Sequence, residues 1–109
     1  MKLIFLTLFS LAFADSKFER VNRFIMQTLQ TPDAVYAAQG GRHACRMYFE
    51  DDKKEIVARG RTKADAKKNL ERRCLIYLCQ KSDCENFETR FSNFDTCSDD
   101  DGEVICIRN

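Results

Sequence analysis

The sequence predicts an α+β fold in the order α-β-β-β-α, a three-stranded antiparallel sheet with two helices on one face, plus a disulfide-pinned C-terminal helix and short hairpin. Three observations carry this expectation. Two apolar stripes at helical spacing flank a series of short alternating runs broken by turn residues. Six cysteines, Cys45, Cys74, Cys79, Cys84, Cys97 and Cys106, all follow an apolar leader. A third stripe, built on phenylalanine, carries a cysteine of its own.

The leader comes first. Residues 1–14 hold one basic residue, Lys2, then an apolar run from Leu3 to Phe13 that ends in Ala12-Phe13-Ala14. That small-x-small ending is the pattern of a signal-peptidase site, and the run is shorter than the roughly 20 residues of a membrane-spanning helix. Cleavage after Ala14 would release a secreted, extracellular product the size of one small domain, with no membrane anchor. We divide it into a core domain at 15–80 and a cysteine-rich acidic extension at 81–109 packed on that domain. An even cysteine count behind such a leader implies three disulfides, the staples a small core needs. Zinc is disfavoured because there is no CxxC pair and His43 is the sole histidine, so neither metal nor cofactor is expected.

Ser16 and Glu19 form the S-x-x-E pattern that starts a helix, and Phe18, Val21, Ile25 and Leu29 follow at helical spacing until Thr31-Pro32 stops it. Val35-Tyr36-Ala37-Ala38 reads as a short first strand ending at Gly40-Gly41. Cys45, Met47 and Phe49 alternate with Arg46 and Tyr48 in a second strand, Asp51 to Lys54 turns the chain, and Glu55 to Gly60 forms a third. Thr62 caps the next helix, with Asp65 in its first turn and Ala66, Leu70, Cys74, Tyr77 and Leu78 facing the sheet. Lys68 and Arg72 lie on the outer side early and Ile76 and Cys79 later, so that side requires a cover. Ser82-Asp83-Cys84-Glu85 repeats the S-x-x-E start, and Cys84, Phe87, Phe91 and Phe94 make the third stripe, which supplies that cover. The hairpin is placed between Cys97 and Cys106, turning at Asp101-Gly102. Asp99 to Gly102 does not extend to a calcium loop, because Cys97 and Arg108 stand where oxygen ligands are required. Cys45 and Cys74 both face the layer between sheet and helix and are expected to pair, leaving the other four cysteines to pin the tail.

Charge is balanced overall, at +1, yet segregated. From Arg59 to Arg73 seven basic residues face Asp65 and Glu71, whereas from Asp83 to Glu103 eight acidic residues face Arg90. Such a division suits either two partners or one chain folding on itself, with carboxylates of the tail competing for Lys68 and Arg72.

Two segments sharpen the reading. Gly40 to Met47, GGRHACRM, resembles the G-P-x-H-x-x-x-F segment of double-stranded RNA-binding domains, and Ala58 to Lys67, ARGRTKADAK, resembles their G-x-G-x-S-K-K-x-A-K segment. The resemblance covers residues 32–78, with Tyr36 at the tyrosine of that family's first strand. It implies that His43 is the loop histidine that enters the RNA minor groove, and that Lys63 and Lys67 are the first and third phosphate-contacting lysines, with Lys68 beside them. Recognition would then follow duplex shape and not base order. Ala64 replaces the second lysine, Ala58 the first glycine, Gly41 the usual proline and Met47 the usual aromatic, while Asn69 and Glu71 stand at small-residue positions. The alternative is a secreted protein-protein interaction factor or inhibitor that keeps the fold and takes an extracellular protein partner. An enzyme such as a ribonuclease is not expected, because a single histidine has no second acid–base group at a recognisable spacing.

Overall fold

The computed structural model describes residues 16–98 and 104–109; the leader and the Asp101-Gly102 turn lie outside them. The architecture is α+β with a three-stranded antiparallel sheet. In chain order the elements are α1 (Ser16–Gln30), α2 (Asp33–Ala37), β1 (His43–Phe49), β2 (Lys54–Gly60), α3 (Lys63–Lys81), α4 (Phe87–Ser98) and β3 (Ile105–Arg108).

The sheet is ordered β2-β1-β3, so its third strand comes from the C-terminal end of the chain and not from residues 35–38. Val35 to Ala38 is the principal correction. Pro32, extended at φ −60° and ψ 142°, sets the N-cap of α2, and the Ala38 N–H closes its turn on the Ala34 carbonyl. Arg73 clasps the Asp33 carboxylate with two guanidinium hydrogen bonds, at 3.0 and 3.1 Å, and also donates to the Val57 carbonyl. That anchor holds an acidic residue in the first turn, where the helix dipole favours it. A four-residue run has too little apolar surface to win a sheet edge against β3, whose Cys106 is covalently bound to Cys45.

β1 and β2 form the expected hairpin, with Cys45 opposite Ala58 and Met47 opposite Ile56 on the helix-facing side. Cys106 lies opposite Cys45 across the β1–β3 pair. β3 therefore adds to β1 and does not form a local hairpin with Cys97, which is helical in α4. α3 lies against the sheet through buried Ala66, Leu70 and Cys74, and α1 and α4 pack on α3 through Ile25, Phe91 and Phe94. Burial of a side chain such as Leu70 contributes roughly 1.5–3 kcal/mol. The start of α3 is as expected: the Asp65 N–H donates to Thr62 Oγ1 at 3.1 Å. That of α4 is not. Residues 82–85 are turns, and Asn86 caps the helix by accepting from the N–H groups of Glu88 and Thr89.

All six cysteines are paired, as Cys45–Cys106, Cys74–Cys97 and Cys79–Cys84. The Cys45–Cys74 expectation fails because both side chains face the core but each meets a thiol from the tail first. Cys74–Cys97 fastens α4 to α3, and Cys79–Cys84 closes the turn between them. No described helix is long and apolar enough to cross a membrane.

Candidate nucleic-acid interface

Strand register gathers basic residues at one end of the sheet. His43 opens β1 and sits opposite Gly60 on one side and Arg108 on the other. Arg42 precedes it, Arg59 and Arg61 flank Gly60, and Lys63 begins α3 two residues later. Two strand spacings of about 4.8 Å make this end about 10 Å wide. The chain is tied down there: the Asn109 N–H donates to the Arg42 carbonyl at 2.9 Å, and Arg59 Nη1 donates to the Gly41 carbonyl at 3.4 Å.

Gly41 makes the close approach possible. Its φ is +140°, and a Cβ there would lie 2.0 Å from the Gly60 carbonyl oxygen. Only a residue without a side chain lets the 39–42 loop press against the end of β2 and present His43 beside the start of α3.

The four residues singled out in the sequence divide into two groups. Lys63 is exposed and Lys67 half-buried, and they are i, i+4 neighbours in the first turns of α3, which follow the β2 end that pairs with His43. Lys68 is turned away. Its Nζ stands 4.8 Å over the Phe24 ring, on the α1 side of α3. Arg72 follows it, with its guanidinium 5.4 Å from Phe24 and 5.3 Å from Tyr36. Asn69 ties α3 to the end of β2: its Nδ2 donates to the Arg59 carbonyl at 2.9 Å and its Oδ1 accepts from Arg72 Nη1 at 3.0 Å.

Among the described residues, the acidic tail does not claim Lys68 or Arg72. Its helix carries Glu88 and Asp95, and neither pairs with Lys68 or Arg72. Arg42, Arg59, Arg61, Lys63 and Arg108 likewise form no ion pair with a described carboxylate. The Asp52 carboxylate is engaged at the opposite end of the sheet, held by Lys81 and Tyr77. Those hydrogen bonds, Lys81 first, lower the Asp52 pKa, and the bond to Asp52 raises those of Tyr77 and Lys81.

No protein-family model, curated protein or solved structure matches this chain. The functional reading therefore rests on the site itself. Arg42 and Arg108 belong to it but carry no signal in the sequence, since their place depends on β3 joining β1. The open face of the sheet was also missed. There Tyr48, Val57, Ile105 and Ile107 are exposed, the last at 58%, interleaved with Arg46 and Arg59.

Proposed function

We propose that the chain is a secreted, disulfide-stabilised binding module of the double-stranded RNA-binding type, taking duplex RNA by its shape through His43, Lys63 and Lys67, with Arg42, Arg61 and Arg108 beside them. The observation that carries this reading is the convergence of Arg42, Arg59, Arg61, Lys63 and Arg108 with His43 on one sheet end, none of those five cations ion-paired with a described carboxylate. A phosphate backbone is the polyanion that rewards such an array, each contact releasing condensed counterions. In this reading His43, on the central strand, enters a shallow groove while the flanking cations meet phosphate on either side. Lys68 contributes from the neighbouring face. Export is supported by the apolar leader with its small-x-small ending and by the pairing of every cysteine. N-terminal sequencing of the secreted product should begin at Asp15.

A gel-shift titration with duplex RNA at two salt concentrations tests the function. Binding that weakens with salt and is lost in Lys63→Glu/Lys67→Glu supports it. Absence of a shift at low salt refutes it. A second reading, a protein partner, is favoured by the open sheet face, where exposed Ile105 lies opposite Arg46 and exposed Ile107 opposite Ala44. That face suits an apolar surface edged with carboxylates, and Ile105→Asp/Ile107→Asp would abolish such binding while leaving RNA affinity unchanged.

A further inference from the structure

Behind the sheet end, on the helix side, the 39–41 loop, the end of β2 and the first turns of α3 line an open pocket of about 630 Å³. Its walls carry Arg61, Lys68 and Arg72 against one carboxylate, Asp65. None of the three cations is ion-paired with a described carboxylate. Bringing like charges to one concave surface is unfavourable unless an anion enters. The protein nevertheless fixes them in place. Lys68 is held over Phe24, while Arg72 lies against Phe24 and Tyr36 and is oriented by Asn69, which is itself bonded to β2. Rigid aromatic and amide supports of this kind orient a guanidinium without neutralising it. Gly40 lines the pocket in open space: a Cβ there would meet nothing within 4 Å.

We propose that this pocket is a binding site for a phosphate dianion, either free or as a monoester, held by Arg61, Lys68 and Arg72. Three cations against one carboxylate match the charge of the dianion, and the planar Arg72 fork matches its oxygens. The site shares Arg61 and Lys68 with the duplex reading but does not depend on it. Lys63 takes no part in it, and the pocket binds a small anion whether or not the sheet end binds RNA.

The test is a titration of the full mature protein with inorganic phosphate and with phenyl phosphate, followed by ¹H–¹⁵N NMR at constant ionic strength, with chloride as control. Saturable shifts are expected at the amides of Gly40, Gly41 and Arg61. Lys68→Gln should weaken binding about tenfold. Gly40→Glu, which has room for its side chain, should abolish binding by supplying a competing carboxylate while preserving the dispersed spectrum. Lys63→Glu should leave phosphate affinity unchanged, so failure of the RNA reading and failure of this one are told apart. Equal affinity for the two ligands assigns the dianion alone, and tighter phenyl phosphate assigns an ester. Shifts no larger than those with chloride, or affinity unaltered in both Lys68→Gln and Gly40→Glu, overturn the proposal.

Discussion

Replacing Cys45 and Cys106 together with alanine should cost more stability than removing either of the other disulfides. The bond joins residues 61 apart in sequence, against 23 for Cys74–Cys97 and 5 for Cys79–Cys84. A cross-link restricts the unfolded chain more the longer the loop it closes. With the logarithmic dependence of loop-closure entropy the three bonds contribute about 4, about 3.5 and about 2 kcal/mol. The largest is a substantial part of the ~5–15 kcal/mol that holds a small domain together. It also secures the four-residue β3, which brings Arg108 to the basic end. Urea denaturation of the three double-alanine variants, each compared with the parent at constant pH, measures the differences directly. The midpoints should fall in the order of loop length, with Cys45→Ala/Cys106→Ala lowest. A Cys79→Ala/Cys84→Ala variant as unstable as Cys45→Ala/Cys106→Ala would refute the argument.

Other outcomes follow from local geometry. Gly41→Ala places a Cβ on the Gly60 carbonyl at a φ of +140°, so it should lower the melting temperature by several degrees, whereas Gly40→Ala, with open space around it, should be close to neutral. Asp52→Asn should remove the pH-dependent part of the link between the β1–β2 turn and the end of α3. Because the Asp52 pKa is lowered in the folded state, its contribution is present above the ordinary carboxylate range and lost as pH falls through the lowered value; the Lys81 pKa is raised, so its contribution is lost only as pH rises through the raised value. The difference in melting temperature between parent and Asp52→Asn should therefore hold between about pH 4 and pH 10 and shrink on either side. Thr62→Ala, which deletes the cap accepting from Asp65, should cost about 1 kcal/mol by denaturant melting.

Elements whose signals are local were legible in the sequence. The Thr62 cap, the apolar stripe of α3 and the alternation of Cys45, Met47 and Phe49 each arise within a few residues, and each appears in the structure. Signals that depend on distant partners were not. Val35 to Ala38 carries β-favouring residues, yet Pro32 and the Asp33–Arg73 pair make it helical, and Arg73 is 40 residues away. The cysteines announced three disulfides but not their pattern, because register alone decides that Cys45 faces Cys106. The same limit applies at the candidate site. Lys63 and Lys67 are visible as i, i+4 neighbours, while Arg108 reaches them only through β3, and Lys68 turns from them because Phe24 lies on the other side of α3. The Ser82–Glu85 start was displaced to Asn86 by the short loop that Cys79–Cys84 closes.

The salt dependence of duplex RNA affinity in the parent and in Arg108→Gln tests the basic sheet end most directly, since Arg108 joins it through tertiary structure alone. The account predicts binding whose logarithmic slope against salt is negative and becomes shallower by about 0.9, or somewhat less for RNA, when that one phosphate contact is deleted. No measurable affinity at low salt, or a slope identical in the two proteins, would contradict it.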